Sequence, residues 1–318
     1  MTTYIIRRLI LALIVIVIVT AMIFLAMRLL PGDPILLLVS QTELEELRED
    51  QIEQLRHEFG LDRPLFVQYL DWVSGITRGD LGQSIVHRSS VSREIGKRLP
   101  VTLHLGLVAF VISIIVGIPA GIVCAVRRAT WLDTFITIFA NLGITVPIFW
   151  LGVMMIYFFS LKLGWLPVFG YTSPFDDFGM SLRKIIMPVF CLAVTPIASA
   201  ARQTRSSMLE VMRQDYIRTA WSKGLRERLV IAKHALKNAL IPVVTLKGLS
   251  LSMIIGGSVL IESVFNIPGM GRLAVEAIFN HDYPVIQGVV LLMAVMVVLS
   301  NLLVDLSYGY LDPRIRYG

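Results

Sequence analysis

Charge is what this chain has least of. Charged residues fill 16% of its 318 positions, against about 25% in a soluble globular chain, and long stretches carry none at all. Cysteine is nearly absent as well. The two present, Cys124 and Cys191, both sit inside apolar runs, which suits small buried side chains better than a disulfide. The five histidines show no H-x-x-x-H spacing and the cysteines no C-x-x-C, so no protein metal site is indicated. No G-x-x-x-x-G-K followed by Ser or Thr occurs, so nothing in the chain is built to cradle nucleotide phosphates. The net charge of +6 does not point to nucleic acid, because the positive residues gather at the flanks of the apolar runs.

What is present in quantity is long apolar sequence. Leu9 to Met27, Leu99 to Val126, Thr134 to Leu161, Ile185 to Ala201 and Tyr283 to Val304 are free of charge, and Asn238 to Ile261 is broken only by Lys247. A hydrocarbon core about 30 Å thick takes roughly 20 apolar residues of helix. The runs are continuous and do not alternate with period two, which excludes a membrane β-barrel. The expectation is an all-α integral membrane protein with six transmembrane helices. Arg7 and Arg8 resemble the charged start of a signal peptide, but Leu9 to Met27 is longer than an h-region and no A-x-A site follows, so the first run reads as a retained helix.

Lys and Arg beside short loops mark the cytoplasmic face. Arg7 and Arg8, Arg127 and Arg128, nine basic residues from Arg202 to Lys237, and Arg314 and Arg316 all fall on one face of a six-helix chain, which predicts cytoplasmic N and C termini. The outer segments are then Pro31 to Arg98, a loop around Gly164 to Arg183, and Asn266 to Asp282. The first holds twelve acidic and eight basic residues and reads as a helical insertion on the outer surface. Thr42 and Glu45 form a capping box; Leu44, Leu47, Leu55 and Phe59 share a helical face that Gly60 and Pro64 end. A second amphipathic piece carries Phe66, Tyr69, Leu70, Trp72 and Val73. The chain thus divides into residues 1–98, first helix plus insertion, and 99–318, a five-helix core with a cytoplasmic loop at about 202–237. Pro119, Pro147, Pro188, Pro196 and Pro242 lie in or beside spans, where proline can bend a helix.

The cytoplasmic loop is the most informative segment. Leu209, Met212, Tyr216, Ile217 and Ala220 recur at spacings of three and four, Gly224 interrupts, and Leu229, Ala232, Leu236 and Leu240 resume on one face with Arg226, Lys233 and Lys237 on the other. This predicts a helix, a glycine turn and a second helix running into the fifth span. Such a shape suits a groove on a soluble partner or, equally, a basic surface lying on anionic lipid.

The stretch Asp215-Tyr216-Ile217-Arg218-Thr219-Ala220-Trp221-Ser222-Lys223-Gly224-Leu225 resembles the EAA loop of importer-type ATP-binding cassette permeases, in the branch that takes up dipeptides, oligopeptides and nickel. Arg218 stands for the Glu of the pattern, Thr219 and Ala220 for its two Ala, and Gly224 and Leu236 match, whereas His234 and Lys237 replace Ile and Pro. A role tied to the missing Glu is not carried over. Further resemblance to the B-type subunit lies in Leu30-Pro31-Gly32-Asp33-Pro34, Gly60-Leu61-Asp62-Arg63-Pro64, Gly79-Asp80-Leu81-Gly82, Pro147-Ile148-Phe149-Trp150, Pro268-Gly269-Met270-Gly271-Arg272 and Asp312-Pro313-Arg314-Ile315-Arg316.

The resemblance implies a permease subunit, not an enzyme, of a binding-protein-dependent importer in a bacterial or archaeal cytoplasmic membrane. It implies di- or oligopeptide cargo, with nickel chelate or glutathione as alternatives. The implied partners are a second homologous permease, two cytoplasmic ATPase subunits and an extracytoplasmic solute-binding protein, besides membrane lipid. The chain itself would bind no cofactor, ATP being hydrolysed by the partner subunits. Asp215, Tyr216, Arg218, Thr219, Ala220, Lys223, Gly224 and Leu225 would seat on an ATPase.

Lys247, about two turns into the fifth span, is expected to snorkel to the interface, to pair with Asp305, or to line a cavity. Glu262 and Asp282-Tyr283-Pro284 are expected on the outer side, solvated at the interface or else in contact with the binding protein or the gate, and Trp150, Trp165 and Tyr157 are expected as interface anchors. A rival class, a membrane-embedded hydrolase, would need a catalytic pair within the spans. Its nearest candidates, His104 and Ser113, lie about 13 Å apart along a helix, too far to share a proton.

Overall fold

The computed structural model describes residues 2–29, 53–54, 57, 62–84 and 86–311, with the side chains of 2–4, 245, 253 and 305–311 outside that description. The capping box at Thr42 and Glu45 and most of the first insertion helix, with Leu44, Leu47, Leu55, Phe59 and Gly60, therefore lie outside the described residues. Within them the chain is helical: α1 (Thr2–Leu29), α2 (Leu65–Thr77), α3 (Val91–Val126), α4 (Trp131–Thr145), α5 (Ile148–Met155, continued as a π-helical stretch Ile156–Lys162), α6 (Phe178–Val211), α7 (Asp215–Ser222), α8 (Leu236–Val264), α9 (Met270–Phe279) and α10 (Tyr283–Leu311).

Among the described residues five helices are long and apolar enough to cross a bilayer, and α4 with α5 makes a sixth if the bent pair counts as one span. Their outward faces are apolar: Leu13 on α1 and Ile115 on α3 are 62% and 64% exposed, which suits hydrocarbon and not water. The third apolar run is not the continuous helix its composition predicts. It breaks between α4 and α5 with a bend of 104°. Pro147 disfavours helical torsions at Val146, which is extended (φ −71°, ψ 126°), and then caps α5, where its missing N–H costs nothing. Pro119, Pro188, Pro196 and Pro242 stay inside unbroken helices.

The second span begins at Val91, so the division placed at residues 98 and 99 falls inside a continuous helix. The fourth starts at Phe178, where the Asp177 carboxylate accepts from the Met180 N–H at 2.9 Å, shortening the outer loop expected there. Helix α9 lies in the outer stretch Asn266 to Asp282, for which no helix was expected.

The α3–α6 pair is the centre of the packing, with α8 against both and α10 beyond α8. Small residues let these backbones approach: a Cβ on Gly121 would lie 2.5 Å from the Ala201 carbonyl oxygen. One core joins Leu105, Met187, Leu192, Ile261 and Phe265 from α3, α6, α8 and its end. A second, at the far end, joins Val91, Met270, Leu273, Val285 and Val289. A third, at the opposite end, gathers Ala125 and Met208 under the loop that follows α6. Helix α2 docks on α1 through the Phe24, Tyr69 and Trp72 rings and a 2.9 Å contact between the Thr20 and Tyr69 hydroxyls. Just before α2, the His57 ring hydrogen-bonds the exposed Asp62 carboxylate at 2.6 Å and holds its pKa below the ordinary value.

Candidate functional site

The loop after α6 is a compact hairpin. Helix α7 buries Ile217 and Ala220 against Met208, Val230, Ala235 and Ala239, and leaves Asp215, Tyr216, Arg218, Thr219 and Lys223 exposed. Its C-terminus closes as a Schellman turn: the Gly224 N–H donates to Trp221 O at 2.9 Å and the Leu225 N–H to Ala220 O at 3.4 Å. Gly224 has φ +77° with nothing within 4 Å of a Cβ, so glycine is required by torsion and not by space. Leu225 packs back on the same small core as Ala220.

Of the apolar face expected here, Leu209, Met212, Ile217 and Ala220 pack on the hairpin core and Tyr216 does not. Ala220 faces the chain's own hairpin and is not part of an outward docking face, while Tyr216 is exposed and its hydroxyl accepts from Asn238 Nδ2 at 2.8 Å, tying α7 to α8. Thr219 Oγ1 donates to Asp215 O at 3.0 Å. Asp215 and Arg218 pair at 3.6 Å with side chains 96% and 70% exposed, a contact that contributes little.

The second arm differs in register from the periodicity. A short turn, Glu227–Leu229, leads into a π-helical stretch, Val230–Ala235, that continues directly into α8. The wider π turn rotates the following residues, so Val230, Ala235 and Ala239 face inward, whereas Leu229 and Ala232, expected on the apolar face, are exposed. Leu236 remains partly buried on the hairpin core.

Lys247 lies eleven residues into α8 (247 − 236), about 16 Å along its axis. It does not snorkel. It is 5% exposed, and its ammonium donates to Ser113 Oγ at 2.8 Å, Pro196 O at 3.0 Å and Ser113 O at 3.4 Å. One buried cation thus joins α8 to both members of the central pair. The side chain of Asp305, its other expected partner, lies outside the described residues.

Comparison with known proteins now decides the family. Residues 117–317 match the family described as binding-protein-dependent transport system inner membrane component, and residues 1–106 match its N-terminal companion. The chain belongs to this permease family. It is 46% identical over its full length, and the relative's, to a putative peptide transport system permease protein of Brucella abortus. It is 41% identical to an oligopeptide transport system permease of Bacillus subtilis and to a dipeptide transport system permease of Alkalihalophilus pseudofirmus, again over the whole of both chains. Among solved structures it resembles a chain of the inward-facing MetNI methionine ABC transporter, with a TM-score of 0.57 at 19% identity, covering 69% of this chain and 96% of that one. These likenesses place it among ABC importer permeases of the peptide branch, as multi-pass membrane proteins and not enzymes. The candidate hydrolase pair is engaged elsewhere: His104 Nδ1 contacts the Tyr171 hydroxyl at 2.8 Å, and Ser113 receives Lys247.

Three buried polar contacts of the permease were not expected. Glu262 is fully buried, not solvated at the interface. Its carboxylate accepts from Thr102 Oγ1 at 2.6 Å, Gly271 N at 2.7 Å and Arg272 N at 3.1 Å, so it caps α9 and ties α3 to it. Thr102 Oγ1 also accepts from Met270 N at 2.8 Å. A side chain on Gly269 would occupy the place of that carboxylate, which gives the Pro268-Gly269-Met270-Gly271-Arg272 motif a physical reason. Asp282 is buried too, accepting from Ser84 Oγ at 2.5 Å and Val86 N at 3.2 Å, and so fastens the segment before α3 to the start of α10. At the hairpin end, Asp133 on α4 accepts a two-pronged pair from Arg205 on α6, at 2.7 and 2.9 Å. The nearest sequence signal for Glu262 was the pair of glycines seven and nine residues on, Gly269 and Gly271; Asp133 and Arg205, 72 positions apart, had none. Trp150, Trp165 and Tyr157 are all outward and exposed.

Proposed function

We propose that this permease is one of two related membrane halves of an ATP-driven, binding-protein-dependent importer of di- or oligopeptides that works by alternating access. The observation that carries the reading is mechanical: a short, capped helix, α7, bound to the base of α8 and exposing a row of polar side chains. Asp215, Arg218, Thr219 and Lys223 form the seat for a cytoplasmic ATPase subunit, with Gly224 and Leu225 shaping the turn and Tyr216 and Ala220 holding the helix to its base. ATPase closure displaces α7, and α8 carries that displacement to the central pair through Lys247. Alternating access then follows if the ATP-bound state of the partners favours one arrangement of these helices over the other. The chain binds no nucleotide itself. A second homologous permease, two ATPase subunits and an extracytoplasmic solute-binding protein complete the assembly in the cytoplasmic membrane, with the termini of this chain on the ATPase side. The peptide assignment is supported by the oligopeptide and dipeptide systems named for its relatives.

The assembly reconstituted in vesicles tests this. Gly224→Val should leave ATP hydrolysis measurable while peptide uptake falls roughly tenfold or more, since a β-branched residue at positive φ costs more than the ~1–2 kcal/mol of an ordinary left-handed residue. Normal uptake by that variant would defeat the coupling assignment. Identifying the ligand carried by the cognate binding protein decides the cargo, and a nickel chelate or glutathione there would displace the peptide reading.

A further inference from the structure

An apolar cleft of about 440 Å3 opens between α4, α5 and the α3–α6 pair, lined among others by Phe135, Phe139, Trp150 and Phe190. Its size falls within the roughly 300–1,000 Å3 of pockets that take organic ligands. It does not end in apolar surface. Ile136, Ala140 and Ala201 also line a second cavity of about 300 Å3, whose mixed wall adds polar side chains to the apolar ones: Thr137 and Asn141 from α4, and Arg202, Arg205 and Ser206 from α6.

The charge in this mouth is uneven. The Arg205 guanidinium is neutralised by Asp133, whereas Arg202 is exposed and has no hydrogen-bond or ion-pair partner among the described residues. The pair of cavities therefore presents one uncompensated cation at the head of an apolar cleft. The rim residues Phe135, Phe139 and Phe190 are about half exposed, so the cleft is open to the surroundings of this chain. Because α6 runs directly from this mouth to the α7 hairpin, the mouth lies at the hairpin end of the molecule.

We infer that these adjoining cavities are a binding site for an anionic phospholipid, with an acyl chain in the apolar cleft and the headgroup phosphate at Arg202. A single net positive charge matches the single negative charge of a phosphodiester headgroup, and basic pockets between spanning helices are a general form of lipid-headgroup site. The inference is independent of the cargo and of the coupling role of the hairpin.

The permease, purified in its assembly and stripped of lipid in detergent, is titrated with phosphatidylglycerol, phosphatidylcholine or inorganic phosphate, and retained lipid is read by native mass spectrometry. Phosphatidylglycerol should be retained in preference to phosphatidylcholine. Arg202→Gln should weaken phosphatidylglycerol retention about fivefold, the effect of one basic residue near a lipid headgroup, and Arg202→Lys should keep most of it. Ala140→Trp, which fills space at a wall shared by the two cavities, should lower retention of both lipids while the assembly stays intact by gel filtration. Equal retention of the two lipids, or no change in Arg202→Gln, overturns the inference. Displacement of phosphatidylglycerol by inorganic phosphate at comparable concentration would reassign the site to a free anion. Cross-linking of a Phe139→Cys variant to another subunit would show that protein, not lipid, fills the cleft.

Discussion

Single buried polar residues do much of the positioning. The Glu262 carboxylate serves three donors from two elements, so its removal orphans the Gly271 and Arg272 N–H groups, the first of them buried. Glu262→Ala should lower stability by roughly 2–4 kcal/mol, and Glu262→Gln by less, because the amide oxygen can still accept; thermal unfolding of the two variants in one detergent gives the comparison. Ser113 presents the closest acceptor to the Lys247 ammonium. Ser113→Ala should cost about 1–2 kcal/mol, in keeping with hydrogen bonds between spanning helices, and Ser113→Thr, which keeps the hydroxyl, should cost less. A fall as large in Ser113→Thr as in Ser113→Ala would count against the hydrogen bond as the cause. Both residues escape a sequence reading for the same reason: the partners that tie them to another spanning helix, Thr102 for Glu262 and Lys247 for Ser113, lie 160 and 134 positions away in the chain.

At the scale of elements, the hairpin is where local pattern and tertiary packing meet. The helix, the glycine stop and the return into a spanning helix are all written in near-neighbour spacing and in the left-handed demand at Gly224. Gly224→Asn should preserve most coupling, since asparagine tolerates positive φ, and Gly224→Ala should lose an intermediate amount. The ratio of peptide taken up to ATP hydrolysed, measured across Gly, Asn, Ala and Val, should fall in that order. The π-helical stretch is the part that periodicity could not reveal, because a pattern of 3.6 residues per turn is assumed when Leu229 and Ala232 are assigned to the inner face. The break at Pro147 shows the complementary case. Proline was visible in the sequence, yet Pro147 breaks a span and turns the chain, while Pro100, Pro119, Pro188, Pro196 and Pro242 ride inside helices held by their neighbours.

For the whole molecule, the two ends of the helix bundle are separately fastened. At the end away from the hairpin, Asp282 holds the segment around Ser84; at the hairpin end, Asp133 and Arg205 hold α4 to α6. Asp282→Ala should therefore raise hydrogen–deuterium exchange across residues 79–90 while leaving residues 215–239 as protected as before. Asp133→Asn should do the reverse at the start of α4. Coupled loosening of both ends in either variant would argue for a single cooperative bundle in place of two independent fastenings.

Membrane class, helical architecture and family were legible in the chain alone, because the length of an apolar run, the spacing of a hairpin and the order of short motifs are all local properties. The near-absence of charge inside the spans also singled out Lys247. Where that charge goes was not legible. A buried ion takes whichever acceptors packing brings within about 3 Å, and here the packing of α3 and α6 offered a serine and a carbonyl in place of water at the interface. The same reason applies to Glu262 and Asp282. Position near the end of a span suggests solvent, and only the fold reveals that another segment, α9 at Glu262 and the stretch before α3 at Asp282, has already closed over it.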